Sequence, residues 1–152
     1  MKLWRLCRAG HVALNGQGAL RHGGRYSPPG VPMVSLASEA GLAVLVTLRY
    51  ILPDRMAGHG DYVLGWTETN AAPERMPEGL DEQAIRYEVD LWLQQRRSLL
   101  IAIRSRVLPE ADVILMNPLH EAASTVPELT TRPFNFAECL HRPPMLDRFS
   151  GN

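Results

Sequence analysis

The chain is short of lysine, of cysteine and of long apolar runs. Lys2 is its only lysine, so the rest of its 16 lysine and arginine residues are arginines. Sixteen acidic residues balance them to a formal net charge of zero, so the basic excess typical of nucleic-acid-binding proteins is missing and we expect no direct nucleic-acid partner. No apolar run approaches the roughly 20 residues of a membrane span, and we expect no membrane association.

The two cysteines, Cys7 and Cys139, are too few for a disulfide framework and fit a reducing compartment. Residues 1–5 lack the pattern of a signal peptide. Together these features predict a cytoplasmic protein. The length of 152 residues and the hydrophobic fraction of 45% predict a single folded domain over residues 1–152.

Two common kinds of ligand site are not predicted. The histidines show no paired ligand spacing, so we expect no metal. Gly16-x-Gly18 matches part of the dinucleotide-binding fingerprint, but position 21 is arginine and no strand leads directly into a helix there. We therefore do not predict a Rossmann-type site.

Glycine and arginine crowd residues 15–30, here called the glycine–arginine loop, which shows neither helical nor strand periodicity. Glycine lets the main chain approach a ligand closely. Arginine presents a rigid fork of donors that matches phosphate and carboxylate. The segment therefore predicts a preformed anion-binding loop that contains Arg25.

Alternating and apolar patterns elsewhere predict more strands than helices. The predicted strands are 3–7, 32–37, 62–67, 98–103, 112–116 and 134–136. Ile85–Leu93 is ambiguous between strand and helix, 71–79 is predicted as a surface loop, and 118–123 as a short helical turn. This order predicts an α+β fold with a compact mixed or antiparallel sheet core and a few helices.

One helix is predicted from Gly41 to Ile51, where the sequence is apolar on nearly all sides. Ser38 is the expected N-cap, Glu39 is expected in the first turn, and Pro53 is expected to end the helix. The pattern predicts that this helix is buried.

Arg5 and Ser105 each admit two interpretations. Arg5 lies within an apolar strand, where an unpaired buried charge is costly, so it lies either on an exposed strand face or against a polar cavity. Ser105 lies between Arg104 and Arg106, either in a solvated turn or at a pocket rim. The local sequence leaves these alternatives open.

Several short motifs follow one another in order along nearly the whole chain. They are Leu3-Trp4-Arg5, Gly16-x-Gly18-Ala19, Gly23-Gly24-Arg25-Tyr26, Leu42-Ala43-x-Leu45, Asp90-x-Trp92-Leu93, Leu108-Pro109-Glu110, Asn117-Pro118-x-His120 and Phe134-x-Phe136. As an ordered set they resemble the RES-domain family of bacterial toxins.

The resemblance implies a fold similar to that of ADP-ribosyltransferase toxins and an Xre-type helix-turn-helix antitoxin as partner. Family members use NAD as a substrate, release nicotinamide and pass ADP-ribose to water, phosphate or a protein side chain. The implied function is a toxin that transfers ADP-ribose to a protein acceptor, without a metal. An NAD glycohydrolase or phosphorylase is the alternative, and a catalytically impaired binding module is a further one.

The resemblance also assigns site residues. Arg5 and Arg25 match the family's arginines at the NAD pocket and Ser105 matches its serine, so these three are the implied catalytic residues. The residues implied to contact NAD are Arg5, Gly24, Arg25, Tyr26, Ser35 and Ser105. We expect the arginines to hold the pyrophosphate, and the two serines to hydrogen-bond the ribose or the nicotinamide amide.

The chain departs from the family pattern at two positions. Ser35 replaces a residue that is usually aromatic, and Val46 replaces the catalytic glutamate. A carboxylate there would bind a ribose hydroxyl and stabilise the positive charge that develops as nicotinamide leaves. Glu39 lies about 10 Å away along the helix axis, too far for a simple exchange. The other acids considered as substitutes are Glu68, Glu88 and Asp90.

Overall fold

The computed structural model describes residues 1–50 and 61–140. The strands are β1 (Lys2–Arg8), β2 (Val34–Ala37), β3 (Tyr62–Glu68), β4 (Glu74–Arg75), β5 (Leu100–Arg104), β6 (Asp112–Met116) and β7 (Thr130–Pro133). The helices are α1 (Gln17–His22), α2 (Ala40–Leu48), α3 (Glu82–Gln95) and α4 (Phe136–Leu140), with 3-10 turns at Ala9–His11 and Glu121–Thr125. The predicted α+β class is confirmed.

These strands form one sheet in the order β4-β5-β6-β2-β1-β3-β7. All neighbouring pairs are antiparallel except the parallel pair β4 and β5. Across residues 1–50 and 61–140, no helix has the length and apolar character needed to cross a bilayer.

The sheet divides near its middle, between β1 and β2. On one side β1 pairs with β3 along its whole length, from Lys2 opposite Glu68 to Arg8 opposite Tyr62. On the other side β1 and β2 share a single register pair, Trp4 opposite Ala37. Because β1 continues beyond this pair, the two strands separate and leave a gap.

Helix α3 forms because its sequence provides both a cap and an apolar face. The Asp81 carboxylate accepts a hydrogen bond from the Ala84 amide at 2.8 Å, which satisfies a free donor in the first turn. Ile85, Val89 and Trp92 recur at helical spacing and are buried against the sheet. The ambiguous segment is therefore helical, since its buried residues follow a period of about 3.6 and not 2.

Helix α2 differs from the prediction at its start and in its burial. Glu39, not Ser38, is the N-cap. The Ser38 hydroxyl instead accepts a hydrogen bond from the Asp112 amide at 2.9 Å, which extends the pairing of β2 with β6. The helix lies at the surface, with Leu42 buried and Leu45 41% exposed. Ile51 and Pro53, the predicted end of the helix, lie outside the described residues.

Three predicted segments have a different local structure. Phe134–Phe136 is not a strand: the last strand of the described residues is β7, and Phe136, which is buried, begins α4. Short β4 lies within the predicted surface loop 71–79, because Met76 is buried in the core and draws the chain against β5. The glycine–arginine loop contains α1, a short helix between Gly16 and Gly23, both of which have a φ of +71°.

Gly16 is a position where the fold requires glycine. Its φ is +71°, and a Cβ placed there would lie 2.5 Å from the backbone nitrogen of Met33. We expect Gly16→Ala to lower the free energy of unfolding by about 2–4 kcal/mol, because it combines left-handed strain with a backbone clash. Urea unfolding measures this. Gly18→Ala is the matched control, since a Cβ there meets nothing within 4 Å, and equal losses for both variants would contradict the prediction.

Candidate active site

A cavity of about 700 Å³ lies where β1 and β2 separate. Strand β1 contributes Arg5, Leu6 and Cys7 to its wall, and β2 contributes residues 35–37. Further parts of the wall come from α1, α2, residues 23–26 of the glycine–arginine loop, Arg86 of α3, and Val113 and Leu115 of β6. Its size is that of a site for a substantial small molecule.

Arg5 is the strongest indication of a ligand. Its Nη1 atom is buried and has no hydrogen-bond partner in the described part of the chain. Burial lowers the pKa of the Arg5 guanidinium below its ordinary value, although the group remains a cation at neutral pH. A buried unpaired donor costs stability. Because the same residue lines the cavity, an anion bound there would offset the charge of its guanidinium.

Arg25 is held at the cavity by an ion pair with α3. Its Nη2 atom donates to the Glu82 Oε2 atom at 3.3 Å, and its guanidinium lies over the ring of buried Tyr26, 5.2 Å from the ring centroid. Glu82 also accepts a hydrogen bond from Arg86 at 3.0 Å. Hydrogen bonding from Arg25 is the main reason that the pKa of Glu82 lies below its ordinary value.

The charge of the cavity has one sign. Arg5, Arg25, Arg49 and Arg86 line it, and none of its described lining residues is an aspartate or a glutamate. Because low-dielectric walls strengthen such a field, the cavity favours anionic ligands such as phosphates.

The structure brings together most of the sequence-predicted site residues. Arg5, Gly24, Arg25, Tyr26 and Ser35 all line this cavity. Of the two interpretations of Arg5, the cavity is therefore the one the structure supports.

Ser105 lies elsewhere, in the turn that follows β5. Its amide donates to the Ala111 carbonyl at 3.0 Å, and its hydroxyl accepts a hydrogen bond from the Leu108 amide at 3.2 Å. It borders a separate groove of about 260 Å³. The structure thus gives Ser105 a place within a turn and does not bring it to the Arg5 cavity.

Val46, the position at which the resemblance implies a glutamate, lies on the cavity wall. The acids considered as substitutes for that glutamate, Glu39, Glu68, Glu88 and Asp90, are all absent from the described cavity wall. Glu82 is the carboxylate that contacts cavity-lining side chains, through Arg25 and Arg86.

The sequence did not predict several of the residues that line the cavity. Cys7 could have been predicted, because it lies two residues after Arg5 and therefore on the same face of the strand. Burial raises the pKa of the Cys7 thiol, and the charge of nearby Arg5 opposes this in part. Arg49 and Arg86 carry no local signal, since only the packing of α2 and α3 brings them to the cavity. In residues 1–50 and 61–140, no cluster of three or more His, Cys, Asp or Glu side chains could hold a metal ion.

Comparison with known proteins identifies the class. The model of the RES domain family matches residues 2–137, and the chain belongs to this family, as its motifs predicted.

Individual relatives agree with this. Over 128 aligned residues the chain is 33% identical to a protein of Sphingobium sp. (strain YBL2) named Prs ADP-ribosylating toxin, with 74% of this chain and 77% of the relative covered. A chain in the crystal structure of the M. tuberculosis MbcT–MbcA toxin–antitoxin complex superposes with a TM-score of 0.64 at 17% identity, covering 90% of this chain and 85% of that one. That second likeness establishes a shared fold.

Proposed function

We propose that this protein is the toxin of a bacterial toxin–antitoxin module, an enzyme that consumes NAD and transfers ADP-ribose to a protein. The observation that carries the proposal is the position of Arg5. It lines a cavity whose described wall has arginines and no carboxylate, and its buried Nη1 atom has no hydrogen-bond partner among the described residues. Family membership and the 33% identical relative named as an ADP-ribosylating toxin support the same reaction class.

In this proposal the pyrophosphate of NAD binds between Arg5 and Arg25. Two guanidiniums on different elements suit a group with two adjacent phosphates, since each can donate more than one hydrogen bond. Gly24 lets the main chain of the loop approach the ligand. Ser35 is exposed to the cavity and can hydrogen-bond a ribose hydroxyl or the carboxamide.

The reaction breaks the bond between the nicotinamide nitrogen and C1′ of its ribose. Nicotinamide leaves as a neutral molecule with the bonding electron pair, and C1′ takes up positive charge. A lone pair on the acceptor side chain then forms the new bond to C1′, and the proton that the acceptor loses passes to solvent. The cavity holds the ring and phosphates in place while this happens, which lowers the entropic part of the barrier.

The missing carboxylate at Val46 favours transfer over simple hydrolysis. Without it, positive charge at C1′ is less stabilised, so water, a weak nucleophile, reacts slowly. A protein nucleophile docked at the cavity mouth gains from its high local concentration. Hydrolysis and phosphorolysis of NAD are the alternatives, and the experiment below distinguishes them from transfer to a protein.

The proposed partner is an Xre-type helix-turn-helix antitoxin that inhibits the enzyme in the cytoplasm. Family membership supports an antitoxin, and the structural neighbour was solved in a toxin–antitoxin complex. Co-expression with the product of an adjacent helix-turn-helix gene should restore growth and yield a complex that co-purifies.

The decisive experiment incubates the purified protein with NAD labelled in its adenosine moiety, with and without cell lysate. We expect label on a lysate protein, together with an equivalent release of nicotinamide. Prs, after which the Sphingobium relative is named, is the first purified acceptor to test. Nicotinamide release without labelled protein would indicate hydrolysis or phosphorolysis. If NAD is not consumed under any condition, the proposed enzymatic activity is refuted.

A further inference from the structure

Helix α3 carries a polar arrangement at the cavity that the family motifs do not include. Glu82 and Arg86 lie one helical turn apart, and Arg86 lines the cavity with Arg25. The two Glu82 oxygens are divided between the arginines: Oε2 accepts from Arg25 and Oε1 accepts from Arg86. One carboxylate therefore holds two guanidiniums from separate elements side by side.

This arrangement leaves most of the arginine donors available. A guanidinium has five N–H donors, and within the described residues Arg25 and Arg86 each form one hydrogen bond, the one to Glu82. Two positive charges share one negative charge, so the three side chains keep a net charge of +1 at the cavity. Such a group is suited to bind a phosphate with a bidentate or bridging contact.

We infer that Arg25 and Arg86 form a two-arginine clamp for a phosphate of the substrate, and that Glu82 is the positioning residue that fixes their spacing. The inference rests on the proposed function and deepens it, because it places a pyrophosphate-binding group on α3 and adds Arg86 to the binding residues. Arg5 then meets the ligand from the opposite element, strand β1.

Stability alone does not account for these ion pairs. The side chains of Glu82, Arg25 and Arg86 are 40%, 24% and 54% exposed, and ion pairs at such exposed positions contribute little to folding. They are nevertheless built on a rigid support. Ile85, between Glu82 and Arg86 in sequence, is buried in the core, so the helix presents both polar side chains from a fixed position.

The test measures steady-state NAD consumption by Glu82→Ala, Glu82→Gln and Arg86→Ala. We expect Glu82→Ala and Arg86→Ala each to raise KM about 5- to 10-fold while kcat changes less than about 2-fold, because the clamp binds phosphates that do not change during the reaction. Glu82→Gln keeps one acceptor oxygen and should raise KM about 2- to 3-fold. The matched control is Glu78→Ala, which removes another exposed ion pair, to Arg104, away from the cavity, and it should leave KM unchanged.

The same substitution of Glu82, made in a variant that lacks both arginines, distinguishes a positioning role of Glu82 from general structural damage. The double variant Arg25→Ala/Arg86→Ala has no guanidinium left for Glu82 to position. Adding Glu82→Ala to it should therefore raise KM by less than a further factor of about 2. A full additional 5- to 10-fold increase there would overturn the inference. So would a lower KM for Glu82→Ala in wild-type background, because the carboxylate would then be a competitor of the substrate.

Calorimetric binding of ADP-ribose distinguishes failure of the clamp from failure of the proposed function. If wild-type protein does not consume NAD but binds ADP-ribose, and Glu82→Ala weakens that binding about 5- to 10-fold, the phosphate clamp is supported and the proposed enzymatic activity is refuted. If wild-type protein consumes NAD and Glu82→Ala changes neither KM nor ADP-ribose affinity, the clamp is refuted and the enzyme stands.

Discussion

Replacing Arg5 with methionine is expected to slow NAD consumption severely and, at the same time, to make the protein more stable. The guanidinium carries a buried nitrogen that has no partner among the described residues, so its removal deletes the proposed ligand contact and also relieves a desolvation cost. Loss of the proposed charge-assisted contact to the pyrophosphate should lower kcat/KM by about 100-fold or more. Relief of the unpaired charge should raise Tm by about 2–6 °C.

Differential scanning fluorimetry and NAD consumption together check this result. Arg8→Met is the matched control, since Arg8 belongs to the same strand, is exposed and does not line the cavity; it should retain activity and shift Tm by less than about 2 °C. A less stable Arg5→Met protein would show that the fold itself satisfies the guanidinium. Retained activity would remove Arg5 from the site. The expected combination is a stability–activity trade-off at a binding residue.

Val46→Glu is expected to increase NAD hydrolysis. Val46 lies half-buried on the cavity wall, so a carboxylate there would enter a site that has arginines but no acid on its described wall. It would stabilise positive charge at C1′ of the ribose and raise the rate of nicotinamide release to water by about 10- to 100-fold. Release of nicotinamide without an acceptor protein measures this.

The control for this variant is Val46→Gln, which has a similar size and no charge. It should raise hydrolysis by less than about 3-fold, since the effect requires a negative charge. Thermal unfolding must show that both variants fold, because a polar group at a half-buried position costs about 1–3 kcal/mol. A folded, NAD-binding Val46→Glu protein without faster hydrolysis would mean that other groups have replaced the glutamate.

Local sequence predicted those elements whose signals are local. The apolar alternation around Arg5 predicted β1, and β3 and β6 followed from similar patterns. The predictions that failed depended on contacts from distant parts of the chain. Ser38 resembles an N-cap in sequence, but its hydroxyl pairs with Asp112, 74 residues away. The aromatic residues at 134–136 suggested a strand, whereas burial of Phe136 begins a helix.

For the candidate site too, the sequence predicted some residues correctly and could not place others. The motifs in sequence order indicated the RES family and led to Arg5, Gly24, Arg25, Tyr26 and Ser35, which the structure places around one cavity. The sequence could not separate Ser105 from this group, because its position in a turn near a second groove depends on the packing of β5 and β6.

By itself, then, the sequence determined the family and the α+β class, because these follow from residue types and from the order and spacing of short motifs. Only the tertiary structure decided where the charges meet. The separation of β1 from β2 made Arg5 part of a cavity, and its Nη1 atom has no partner in the described part of the chain. The packing of α3 brought Glu82 to Arg25 across 57 residues of sequence and placed Arg86 at the same cavity. Such contacts carry no local pattern, since burial and charge pairing depend on which elements the fold brings together.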